Sequence, residues 1–258
     1  MGCGQVAARF AGRGLGANVR RVTSNAKLVN LAQAGPGSTA AHLRYIEREG
    51  VDRQGGPGHA YWPTTDDADL EAFEERGAGD WHQFRFIVSL EDAEQLDDLR
   101  TYTRHMMARM EADLSTRLEW GAVDHWNTDN PYTHIVLRGK DDTGKDLIIS
   151  RDYIIAEGMR RRASELTTEW LGPRTELEMR RAMQREVEQE RWTGLNCTLQ
   201  REAGDDRLVH VERFAEPRLQ HLRQALTGHL QHLQRMGLAT EQQPGEWAVH
   251  AEASRPCE

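Results

Sequence analysis

The chain has 258 residues, 38% hydrophobic and 29% charged, with a formal net charge of −8. That length allows one large domain, or one domain with a small appendage, and no apolar run approaches the roughly 20 residues that span a bilayer. The negative balance argues against a protein that coats nucleic acid without sequence preference, while leaving room for a local basic groove.

Arg20-Arg21, Arg160-Arg161-Arg162 and Arg180-Arg181 either line such a groove or form solvated helix faces balanced by nearby glutamates. Cys3, Cys197 and Cys257 lie far apart with no paired spacing, which indicates neither a zinc knuckle nor a disulfide framework. The expected location is the reducing cytoplasm, with no membrane insertion. Met1 to Arg20 lacks the apolar core and cleavage pattern of a secretory signal. With Gly2, Gly4, Gly12, Gly14 and Gly16, residues 1–20 read as a disordered start.

Val19 to Leu31 reads as a strand, broken by Gly35-Pro36-Gly37. Ser38 or Thr39 then caps a short helix, Ala40 to Arg48, which Gly50 closes. A turn-rich segment runs through Gly55-Gly56-Pro57-Gly58, and Asp66 and Asp67 favour the start of a helix with Leu70 and Phe73. Phe84, Phe86 and Val88 alternate as in a half-buried strand. Glu91 to Leu114 is expected as one long amphipathic helix. Leu118 to His125 and His134 to Arg138 read as strands on either side of a polar loop. Asp142-Thr143-Gly144 signals a hairpin turn into Leu147-Ile148-Ile149.

Helices are expected over Asp152 to Trp170 and Thr175 to Trp192, the second after Gly172-Pro173. Leu219 to Met236 reads as a further helix, capped by Gly237, with a hairpin over Leu238 to Val249 around Pro244-Gly245. A helix followed by a two-stranded wing suggests a winged-helix-like tail. The elements show no βαβ rhythm, so the fold class is α+β: an antiparallel sheet with helices on its faces, then a helical extension.

Two histidines, His125 and His134, bracket the polar loop. Fixed on neighbouring strands, they can converge on one cation; as isolated residues they are equally core or surface histidines. Asn127 and Asp129 add oxygen donors suited to Mg²⁺ or Mn²⁺. Tyr132 precedes His134 by two residues, so in a strand both face the same way. Trp126 is either a stacking platform or a buried aromatic. The second candidate is Tyr45, in Ala41-His42-Leu43-Arg44-Tyr45-Ile46-Glu47-Arg48. Its hydroxyl is either a nucleophile beside a screened phosphate or a core contact next to Leu43 and Ile46. Arg44 and Arg48, one turn apart, either hold phosphate oxygens or face solvent.

These blocks resemble the HUH-type relaxases, the mobilization nucleases that nick plasmid DNA for conjugation, in the branch with a long, poorly characterised C-terminal region. The resemblance rests on residues 41–50 and His82-Gln83-Phe84-Arg85-Phe86-Ile87-Val88-Ser89. It continues in Val123-Asp124-His125-Trp126-Asn127-Thr128-Asp129-Asn130-Pro131, in Leu147 to Ile154, and in Leu171-Gly172-Pro173-Arg174-Thr175. It covers the chain from about Arg21 to Trp192 in the family's order and implies a nuclease domain over 21–192, with 193–258 as extension and tail.

The resemblance implies a mechanism and a set of partners. Tyr45 corresponds to the nucleophile, which attacks one phosphate in single-stranded DNA at an origin of transfer and stays linked to the 5′ end. His125 and His134 correspond to two of three metal-ligating histidines, so a divalent metal, Mg²⁺ or Mn²⁺, is the implied cofactor. Arg44, Arg48, Asn127 and Trp126 are candidate DNA contacts from their residue types and positions, and accessory relaxosome proteins and a coupling protein are the implied partners.

The departure is Tyr132, at the position of the expected third ligand, where a neutral phenol is a poor ligand. Three outcomes stay open: Asp129 or water completes the shell, the site works with weakly bound metal, or the chain is a decaying copy with little nicking activity. The Gly-rich start and the end at Arg255-Pro256-Cys257-Glu258 read as a truncated copy. The alternative from another class is a catalytically weak or inactive accessory protein that keeps the fold and holds origin DNA.

Overall fold

The computed structural model describes residues 18–35, 37–128, 130–150, 158–189, 193–203, 206–216 and 219–250. The expected disorder of the Gly-rich start falls on residues 1–17, outside the described residues for all but its last three. Asp129 and residues 151–157 also lie outside them.

Alternating burial along β1 (Val22–Asn30) and nearly continuous burial along β2 (His82–Leu90) mark an edge strand and a central strand. β2 also pairs with β4 (Tyr132–Arg138), and β4 with β3 (Trp120–His125), all antiparallel, in the order β1-β2-β4-β3. One face is covered by α4 (Leu99–Leu114) and α5 (Gly158–Leu171), which bury Tyr102, Met106, Met110 and Leu166 against Phe84, Phe86, Ile135 and Leu137. The other face is covered over β3, β4 and Gln83 of β2, and is open farther along β1 and β2. Over β3 and β4, α2 (Ser38–Glu49) and α3 (Leu70–Gly77) pack Leu43, Ile46 and Phe73 on Val123 and Val136. A four-residue turn of helix, α1 (Leu31–Ala34), follows β1. The first part of the chain is thus α+β, an antiparallel sheet flanked by helices, as its residues predict.

Two expectations are corrected here. The helix foreseen from Glu91 to Leu114 begins at Leu99, preceded by a single 3₁₀ turn at Ala93–Gln95. Asp98 sets that start, because its carboxylate accepts from the backbone nitrogens of Arg100 and Thr101 at 3.0 and 3.1 Å, two donors that an initiating helix leaves unpaired. Leu147 to Ile149 forms no strand. A bridge between Lys140 and Asp146 closes the turn, after which Leu147 and Ile149 enter the core as irregular chain.

The chain divides into two compact units at Pro173 and Arg174. In the second, α6 (Glu176–Glu186) starts at a capping box between Thr175 and Glu178. α7 (Gly194–Ala203) and α8 (Gln220–Arg235) pack Leu195, Leu199, Leu226 and Leu230 around Trp247. The hairpin foreseen in the tail is present as β6 (Ala239–Gln243) and β7 (Glu246–Val249), and β5 (Leu208–His210), which the sequence did not announce, pairs with β7. Among the described residues no helix is long and apolar enough to cross a membrane.

Candidate functional site

The uncovered sheet face meets the exposed side of α2, and most of the candidate residues converge at that corner. Helix α2 is anchored at both ends. The Glu74 carboxylate accepts from the backbone nitrogens of Gly37 and Ala40, both at 2.8 Å, a favourable anion at a helix start. At the other end Gly50 lies so close to β3 that an added Cβ would stand 2.9 Å from Val123 Cγ1. Leu43 and Ile46 are buried beneath the helix, which leaves His42, Tyr45 and Glu49, at i, i+3 and i+7, as a neighbouring stripe.

The β3–β4 register opposes His125 to Tyr132 and Val123 to His134, so the two histidines are diagonal neighbours on one face. Their ring centroids are 4.9 Å apart. An ion about 2.1 Å from each ring nitrogen holds two imidazole centroids about 5 Å apart, so this pair has the spacing of a shared cation. Tyr132 stacks on His125 at 4.8 Å with an interplanar angle of 13°. A third imidazole, His42, reaches this pair from α2. His42 presents its ring edge-on to His134, 6.5 Å between centroids. Its signal was available in the His42-x-x-Tyr45 spacing, which places both residues on one side of a helix.

All three imidazoles favour the neutral form that a metal ligand requires. Burial, with smaller contributions from His125 and His42, pulls His134 down to about 4. Burial, followed by the nearby Arg85 and Lys27, pulls His42 down to about 4. Burial also lowers His125, against the opposing pull of Glu49 and a hydrogen bond with the Ile46 backbone. Its Nε2 is buried and has no hydrogen-bond partner, the condition of a nitrogen open to a ligand. Burial raises the Tyr132 hydroxyl, with further contributions from Tyr45 and Glu49, which places these three groups in one neighbourhood. Neutral imidazole is the form that binds a divalent cation, but among the described residues no three His, Cys, Asp or Glu side chains form a group that could hold one.

Tyr45 is not a core residue. It is 53% exposed, with the Arg48 guanidinium 5.4 Å from its ring centroid, so the packing alternative is set aside. Arg44 and Arg48 stand in solvent near carboxylates, Arg44 with Glu71 at 3.4 Å and Arg48 with Glu49 at 3.2 Å. Asn127 is exposed in the loop. Trp126 points away from the histidines, by strand alternation, into a polar cavity of about 280 Å³, where Arg53 stands 5.0 Å from its ring. Asp124 lines the same cavity. Its Oδ1 accepts from Tyr61 at 2.9 Å and from Thr133 at 2.7 Å, and burial raises its carboxyl to about 6 despite those bonds. Asp129, expected to complete a metal shell, lies outside the described residues.

Neither a comparison with protein-family models nor one with curated proteins finds a match for this chain.

Proposed function

We propose that the chain is a strand-specific DNA nuclease of the HUH relaxase type, which cuts single-stranded DNA at an origin of transfer through a 5′-phosphotyrosyl intermediate. The observation that carries this reading is the exposed Tyr45 on the same helix stripe as His42, above the His125–His134 pair. In the cut, the Tyr45 oxygen bonds to phosphorus while the bond to the 3′ oxygen breaks. The tyrosine's proton passes to water at this exposed position, and the leaving oxygen takes a proton from water to become a 3′ hydroxyl. His125 and His134 would hold a divalent ion, Mg²⁺ or Mn²⁺, with His42 as the third imidazole at hand. When bound, that ion supplies polarisation of the phosphate. In the second unit, α8 runs almost directly into the β6–β7 hairpin, which supports a winged-helix-like reading of the tail. Relaxosome proteins and a coupling protein are the partners this function calls for, in the cytoplasm where plasmid DNA resides.

A second reading is favoured by Tyr132, whose phenol occupies the position of a ligand: an accessory protein of the same fold that binds origin DNA without cutting it. A labelled single-stranded origin oligonucleotide with Mn²⁺ separates the two on a denaturing gel. A covalent adduct, absent in Tyr45→Phe and in EDTA, is expected for the nuclease. Binding without adduct on any origin-like sequence selects the accessory protein.

A further inference from the structure

Lys27 on β1 and Arg85 on β2 are register partners, directly opposite one another on the face that carries the histidines. Like charges at opposed positions destabilise a sheet. The chain keeps this pair although it has 41 acidic residues available to separate or neutralise it. Elsewhere in the same unit, half-buried arginines are matched: Arg138 with Asp80 and Glu119, Arg104 with Asp66, Arg162 with Asp113. Among the described residues no carboxylate pairs with Lys27 or Arg85, and burial alone lowers the Arg85 guanidinium.

The neighbours of Arg85 position it without neutralising it. With the Gln83 amide nitrogen donating to Thr39 Oγ1 at 2.8 Å, the Gln83 oxygen accepts from two Arg85 nitrogens at 2.6 and 2.8 Å. A neutral amide thus fixes the guanidinium in place and leaves its charge intact. Both cations act electrostatically on His42, so they share a field with the histidine cluster. Around them the face is open: Thr23, Asn25 and Lys27 are exposed on β1, and Ile87 on β2 is 37% exposed. A partly desolvated cation fixed in place without a counter-charge is arranged for an incoming anion.

We propose that Lys27 and Arg85 form a phosphate-binding pair that holds a phosphodiester group of a single DNA strand, beside the phosphate presented to Tyr45. The DNA assignment rests on the nuclease reading; the anion site itself does not. The pair places backbone contacts on the sheet, away from the ion-paired Arg44 and Arg48.

The test is fluorescence anisotropy of a labelled single-stranded oligonucleotide with the full chain over a range of NaCl, with inorganic phosphate as competitor. Lys27→Gln and Arg85→Gln are each expected to weaken binding about 5- to 10-fold and to reduce the salt slope by about 0.7 per lost phosphate contact. Lys27→Gln should at the same time raise Tm by about 1–2 °C, since it relieves the cross-strand repulsion. Unchanged affinity and slope in both variants, or no binding by the parent chain, overturns the proposal. Binding of inorganic phosphate, read directly by titration calorimetry, in a chain that does not bind the oligonucleotide overturns the strand as ligand. Binding that depends on both cations, in a chain that forms no Tyr45 adduct, keeps the phosphate site while the nuclease reading fails.

Discussion

His125 and Tyr132 are cross-strand partners whose rings lie nearly parallel, 4.8 Å apart, so the phenol covers one side of the imidazole whose Nε2 is buried and unpartnered. Replacing that phenol by imidazole puts a third nitrogen donor beside His125 and His134. Tyr132→His is therefore expected to tighten Mn²⁺ binding by about tenfold or more, measured by titration calorimetry. An unchanged affinity means that the shell is complete without this position.

His42 faces the same centre from the helix. If it serves as the third imidazole, His42→Ala weakens Mn²⁺ binding by about tenfold while far-ultraviolet circular dichroism stays that of the parent chain. Equal metal affinity in parent and variant removes His42 from the site and leaves it an edge-on packing partner of His134.

Asp124 makes a prediction that concerns stability alone. Its carboxyl is raised to about 6, above the ordinary value of 3.8, so the folded chain holds the proton more tightly than the unfolded chain. Stability from this group is present below pH 3.8 and is lost as pH rises from about 4 to 6. Asp124→Asn keeps an acceptor for Tyr61 and Thr133 and removes the titration. The difference in unfolding free energy between variant and parent should shift by on the order of 2–3 kcal/mol in favour of the variant across that interval, read from urea melts at pH 4 and pH 7. A difference independent of pH refutes the raised carboxyl.

The histidines oppose that trend. With His42 and His134 held near 4, the unfolded chain takes up protons first as pH falls below 6.5. Their contribution is therefore present above pH 6.5 and is lost between 6.5 and 4. His134→Gln should flatten the acid side of the Tm profile over that range, and a profile as steep as the parent's would count against neutral buried imidazoles.

Gly121 on β3 tests how α3 and the loop before it are seated. A Cβ there would lie 1.9 Å from Trp62 Cζ3, and Trp62 is stacked on Phe73 at 4.8 Å. Gly121→Ala must push the indole and the aromatic stack outward. The expected loss is about 1–3 kcal/mol, or a Tm lower by about 3–10 °C in a thermal melt. A variant as stable as the parent would show that the stack gives way without strain.

Local chemistry made much of this legible. The period of two in Phe84-x-Phe86-x-Val88 and in Tyr132-x-His134 was enough to place β2 and to put Tyr132 beside a histidine, because strand side chains alternate whatever surrounds them. Apolar spacing through Leu96 and Leu99 carries the helical pattern back to Glu91, and only the Asp98 carboxylate on the backbone decides where helical bonding begins. β5 is not legible in the sequence, because three residues carry too little pattern to be read without their partner β7.

The residues by themselves determined the α+β class, the strands flanking the polar loop, and the helix on which Tyr45 sits, since each depends on periodicity and turn chemistry over a few neighbours. Only the tertiary structure decided that His42 faces His134, that Tyr132 stacks on His125, and that Lys27 stands opposite Arg85. Those relationships join segments far apart in the chain, and their geometry is set by strand register and by the seat of α2 on the sheet, which no local pattern encodes.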